Sequence, residues 1–188
     1  MRTLFAGLVV AVACLTLSSG DVLADDHRQS LQTMALEELL ADVGRKSGES
    51  FLLDARVPAR VVVGPLGKRD VTYPLLLTVL RNNDLAAVRV SGVVSIIPVG
   101  EVRNYTLPQA NDDGPEMHDD EWVLRLVSVE NAPASRLVPF LRPLIAKPGH
   151  LVGDDGSGTV IIVATYSVSE RIADIIEELD QSYTGQSG

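Results

Sequence analysis

The chain has 188 residues, 46% of them hydrophobic and only 4% aromatic, with a formal net charge of −9. An acidic balance of this size provides no basic patch to release counterions, which argues against nucleic acid and anionic lipid as partners. Three widely separated histidines (His27, His118, His150) and one cysteine give no metal-ligand spacing, so neither metal nor cofactor is expected.

The first residues carry the order of a secretory signal: Arg2, an apolar run over Leu4–Leu17, then Val22-Leu23-Ala24 before Asp25-Asp26. The run is short for a transmembrane helix, and no later stretch is apolar enough to span. The expected product is exported and soluble. Cleavage after Ala24 removes Cys14 and leaves no thiol for a disulfide, so the fold must stand on its core. In a second reading, Cys14 is a lipidated first residue and the protein an outer-membrane-anchored assembly factor. The preceding Ala11-Val12-Ala13 lacks the usual leucine of that signal.

Residues 25–31 read as a polar lead-in or a short first strand. Leu36, Leu39, Leu40 and Val43 follow at helical spacing, with Thr33 placed to cap the start and Gly48 to end the helix. Phe51-Leu52-Leu53-Asp54 and Val61-Val62-Val63 read as strands, with a turn between them fixed by Pro58. After the loop Gly64–Arg69, Thr72 and Pro74 open a second helix whose stripe is Tyr73, Leu76, Leu77 and Leu80. Strands over 86–90 and 93–99 meet at Ser91-Gly92, a tight hairpin signal. Asn104–Asp120 is acidic and carries Pro108, Pro115 and Gly114, which predicts a mobile linker.

The remainder reads β-α-β-β-α: a strand over 123–129, a helix over 132–144 and strands over 150–152 and 159–165. A final helix over 168–179 opens on the capping box Ser167–Glu170. Pro139 lies inside the first of these helices, where proline costs about 3 kcal/mol against alanine. The expected class is α+β, two small α/β-sandwich modules. Their expected limits are residues 1–24 (signal), 25–103, 104–121 (linker), 122–181 and 182–188 (tail).

Gly153-Asp154-Asp155-Gly156-Ser157-Gly158 invites chemistry without supporting it. It lacks the ligand spacing and closing glutamate of a calcium loop and the lysine of a phosphate cradle. A Ser157/His150/Asp155 triad would crowd one loop with nothing to align it. A strand-to-strand turn accounts for the glycines and aspartates. Gly64–Gly67 and Gly153–Gly156 match the glycine loop of RNA-binding KH domains in letter only, since neither joins two helices nor carries the needed positive charge. No catalytic set is evident, and the expected protein is not an enzyme.

The wording of both halves is more specific than their chemistry. Lys46-Ser47-Gly48, Phe51-Leu52-Leu53-Asp54-Ala55-Arg56-Val57, Leu77-Thr78-Val79-Leu80 and Val94-Ser95-Ile96-Ile97-Pro98 resemble the short N-terminal domain shared by secretins and some TonB-dependent receptors. Leu126–Ala132, Leu137–Leu144 and Thr159–Val163 resemble the following KH-like ring domain of secretins. The order of the two resembles that of type II secretion secretins. One departure is Pro58-Ala59-Arg60, where the family often has glycine. No stretch reads as the pore-forming barrel, so the resemblance implies a secretin-like module rather than a channel.

It further implies a non-catalytic role in protein secretion. The expected partners are an inner-membrane platform protein of the secretion system or a full-length secretin, with self-association into rings and no small-molecule substrate. The candidate partner-binding residues are Arg56, Val61, Val62, Val63 and Trp122. The first is a positive spot on an acidic chain, the valines form a strand, and Trp122 is the only tryptophan. Each also has a plain reading, as loop charge paired with Asp54 or as core.

Overall fold

A computed structural model describes residues 32–64, 66, 71–111 and 117–184. The signal region with Cys14, the lead-in 25–31 and the end of the tail lie outside the described residues. The first described strand is β1 (Thr33–Ala35). It pairs antiparallel with β3 (Arg60–Val62). Helix α1 (Leu36–Ser47) lies between them in sequence, followed by β2 (Phe51–Leu53). Helix α2 (Tyr73–Asn82) leads to the hairpin β4 (Leu85–Val90) and β5 (Val93–Pro98). The second sheet has the order β2-β5-β4, with β2 parallel to β5 and β4 antiparallel.

The helical stripes bury as their spacing predicts. Leu36, Leu39, Leu40 and Val43 of α1 meet Tyr73, Leu76, Leu77 and Leu80 of α2 in one cluster. Each such side chain contributes about 1.5–3 kcal/mol of burial. Gly48 ends α1 at φ 78°, with its N–H donating to the Gly44 carbonyl. Ser91 and Gly92, both at positive φ, turn the β4–β5 hairpin. Thr33 does not cap α1. It belongs to β1, and its Oγ1 accepts a bond from the Arg60 guanidinium at 3.0 Å.

The second module is a three-stranded antiparallel sheet of order β6-β8-β7, with two helices on one face. Its strands are β6 (Trp122–Ser128), β7 (His150–Asp154) and β8 (Thr159–Thr165). Helix α3 (Ala134–Leu141) is shorter than its apolar spacing predicts and tightens into a 3-10 turn at Arg142–Leu144. Pro133 precedes its start and Pro139 removes an internal backbone donor, so little regular helix remains. Helix α4 (Tyr166–Thr184) is correspondingly longer.

The glycine–aspartate loop is structural. Asp154 accepts bonds from the Ser157 N–H and hydroxyl. Asp155 accepts the Ser135 N–H at 2.8 Å and its hydroxyl at 2.7 Å, serving the first turn of α3 from another element. Both carboxyls are held below their ordinary value, chiefly by the hydroxyls of Ser157 and Ser135 respectively.

The described parts of the expected linker, and the residues just before it, make contacts of their own. Val99–Asn104 forms a 3-10 helix, and Pro108–Ala110 lies along β6: Leu124 N–H donates to Pro108 and Ala110 N–H to Leu124. A third apolar cluster joins Ala86, Val88, Ile97 and Val102 of the first module to Trp122.

Candidate protein-interaction site

The five residues singled out from sequence do not form one surface. Strand alternation turns Val61 inward, and Val63 just beyond β3 is buried as well. Both are core residues, which corrects their assignment to a partner surface. Val62 points outward and is 38% exposed. Its backbone is already occupied, because Asn83 Oδ1 accepts the Val62 N–H at 2.8 Å and Asn83 Nδ2 donates to the Val62 carbonyl at 2.9 Å.

Arg56 is exposed but not free. Its Nε and Nη2 donate to the two Asp54 oxygens, each at 2.9 Å, and Nη1 lies 2.8 Å from Glu101. This guanidinium holds the Asp54 carboxyl far below the usual range. Trp122 is buried at the junction of the two modules, so the tryptophan read as an interface anchor anchors the chain's own halves.

That junction is fastened by Asp119-Asp120-Glu121, which the sequence reading passed over as linker. Glu121 is 5% exposed and accepts the Tyr73 hydroxyl at 2.8 Å and Arg89 Nη2 at 3.1 Å. Arg89 also donates two bonds of 2.9 Å to Glu49. Asp120 accepts Thr78 Oγ1 at 2.9 Å and Arg81 Nη1 at 2.8 Å. The carbonyls of the same tripeptide turn to α4: Tyr166 N–H donates to Glu121, and the Ser167 N–H and hydroxyl donate to Asp119. Ser167 thus serves the junction rather than a capping box, and Glu170 pairs with Arg125. Burial raises the Tyr73 hydroxyl pKa strongly, and the Glu121 charge adds to it, so Tyr73 stays a neutral donor. The only sequence signal for this junction was a run of acids just before the strand.

A second local device ties α4 to the β6–α3 connection. Asp180 accepts the N–H groups of Glu130 (3.0 Å), Asn131 (2.8 Å) and Ala132 (2.7 Å), and also Asn131 Nδ2 at 3.1 Å.

What remains open is apolar. On the sheet face of the second module away from its helices, Leu126, Ile161 and Val152 stand in register across β6, β8 and β7. Leu126 and Val152 are exposed there. On α3 and the turn after it, Phe140 is 74% exposed and Leu144 is exposed too. Among the described residues no group of three or more histidine, cysteine, aspartate or glutamate side chains is placed to hold a metal, and no helix is long and apolar enough to cross a membrane.

Two small α/β modules in series, with open apolar faces and strand edges, define a fold built for contact between proteins. Residues 124–184 match the family described as the bacterial type II/III secretion system short domain. The chain is 27% identical over 154 residues to the secretin XcpQ of Pseudomonas aeruginosa, covering 81% of this chain and 22% of that protein. It is 24% identical over 179 residues to the secretin ExeD of Aeromonas hydrophila, covering 93% and 26%. Among solved structures, the Klebsiella pneumoniae type II secretion system outer membrane complex of PulD, PulS and the PulC HR domain superposes with a TM-score of 0.63. The identity there is 21%, with 80% of this chain and 26% of that one covered. The chain resembles the N-terminal domains of type II secretion secretins, and its second module matches the short-domain family. It spans about a quarter of the length of the curated relatives.

Proposed function

We propose that this chain is a non-catalytic, periplasmic protein-interaction module of a type II-like secretion apparatus. It contacts an inner-membrane platform protein or a full-length secretin and associates with copies of itself. The observation that carries this reading is the coverage of both modules, in order, by secretins: the similarity to ExeD extends over 93% of the chain. The order of a secretory signal at residues 1–24 supports export to the periplasm, with association at the outer membrane.

The partner role belongs chiefly to the first module. Of the residues first singled out, Val62 and the Arg56 turn remain at its surface. Mild crosslinking of the mature protein in its own envelope, followed by affinity recovery, tests the assignment. Secretion-platform components or a full-length secretin are the expected products. Recovery of the protein alone would remove the secretion role.

Self-association belongs to the second module. Phe140 and Leu144 sit on the helical side, while the Leu126–Ile161–Val152 row lies on the opposite face of the sheet. Two different apolar patches on opposite sides of one unit favour head-to-tail contact, which closes into a ring when the rotation permits. Phe140→Asp puts a charge into that contact without touching the core. Light scattering at increasing concentration is expected to show oligomers for the parent and monomer for the variant. Equal masses at every concentration would rule this contact out.

A further inference from the structure

The strand edges of this molecule are not treated alike. On β3, Asn83 occupies the outward N–H and C=O of Val62. On β1, the guanidinium of Arg60 donates to the outward carbonyl of Thr33 at 2.9 Å. Pro108–Ala110 occupies the outward N–H and C=O of Leu124, part of the β6 edge. Strand β4 is buried along Leu85–Val88. Unpaired edges template further pairing, so proteins commonly block them.

Strand β2 has no such cover. Ser50 O and Asp54 N–H bond to β5, and the period of two then turns the N–H and C=O of Phe51 and Leu53 away from the sheet. Nothing among the described residues meets them. Leu52 is 60% exposed on one face of this edge. On the other face a cleft of about 460 Å³ opens between β2 and α1, floored by Leu40, Ala41 and Gly44. The close approach of Gly44 shapes that floor, since an added Cβ would stand 2.8 Å from the Glu49 carbonyl and 3.5 Å from the Phe51 ring.

We infer that β2 is a docking edge that takes an extended segment of a partner protein as a fourth strand of the β2-β5-β4 sheet. Outward backbone donors and acceptors select an extended chain rather than a helix. The two faces set the side chains: alternate apolar residues enter the α1 cleft, and those between them cover Leu52. The site deepens the secretion reading and rests on it for the partner's identity, but its chemistry is read with synthetic peptides.

Leu53→Pro deletes one outward donor and leaves the bonds to β5 in place, because proline is tolerated where a strand N–H faces out. Leu52→Arg, at an exposed position, charges the edge without altering its backbone. The full chain is panned against a random dodecapeptide library, and selected peptides are measured on the parent and both variants by titration and amide exchange. The expected outcome is peptides with apolar residues at alternate positions that slow exchange at Phe51 and Leu53, with binding weakened at least tenfold by either variant. Peptides without that pattern, equal binding to both variants, or an empty selection would each overturn the docking edge. Envelope crosslinking separates this from the wider reading. If Leu52→Arg recovers secretion components as well as the parent does, the edge is refuted and the secretion role stands. If the parent recovers none while the peptides behave as expected, the secretion role falls and the edge stands.

Discussion

Glu121→Ala is expected to separate the two modules and lower stability by about 3 kcal/mol. The carboxylate is buried and accepts from both Tyr73 and Arg89, so its removal strands a buried hydroxyl and half-opens an ion pair. Removing one partner of a buried pair costs about 3–5 kcal/mol. The low end applies here, because Arg89 keeps Glu49 and its side chain is one-third exposed. Glu121→Gln keeps an acceptor for Tyr73 and should lose only about 1–2 kcal/mol. Denaturant midpoints give the energies, and backbone relaxation gives the coupling. The parent should tumble as one body, and the alanine variant as two bodies with different correlation times. A parent that already tumbles as two bodies would contradict the fastening assigned to Asp119–Glu121.

Asp180→Ala should cost a similar amount by a different route. Burial pushes the Asp180 carboxyl up, yet the N–H groups of Ala132, Glu130 and Asn131 more than offset this and hold it below its ordinary 3.8. Without the carboxylate these backbone donors lose their acceptor. One buried unsatisfied group costs about 1–3 kcal/mol, and the exposed flank of this loop admits water to some of them, which gives about 2–4 kcal/mol in total. Asp180→Asn keeps one acceptor oxygen and should lose about half as much.

The pH dependence has a definite sign. The folded carboxyl binds its proton less readily than the unfolded one, so its stabilisation is complete above the unfolded value near 3.8. It is lost as pH falls through the lower folded value. Below about pH 4 the stability of the parent should therefore drop more steeply than that of Asp180→Ala. Parallel curves for the two proteins would remove Asp180 from this role.

Local rules carried most of the element assignments. The stripes Leu36–Val43 and Tyr73–Leu80, the left-handed Gly48 and the Ser91-Gly92 hairpin all depend on neighbours within one or two turns. Where the reading failed, a distant partner had intervened. Thr33 and Ser167 both looked like caps, but Thr33 joined β1 against β3 and Ser167 bonded Asp119. The acids before Trp122 looked like solvated linker because nothing adjacent in sequence neutralises them. Arg81 and Arg89 pair with Asp120 and Glu121, and the Tyr73 and Thr78 hydroxyls donate to them, from 32 to 48 positions away.

Two α/β modules in order, and the wording that resembles secretins, were legible in the sequence. These follow from periodicity, turn chemistry and composition, which act locally along the chain. Tertiary packing set which valines of 61–63 face out, buried Trp122 between the chain's own halves, and left the outer edge of β2 uncovered among the described residues. Burial, edge pairing and charge compensation are properties of what lies across the space between elements, and no local window contains that neighbour.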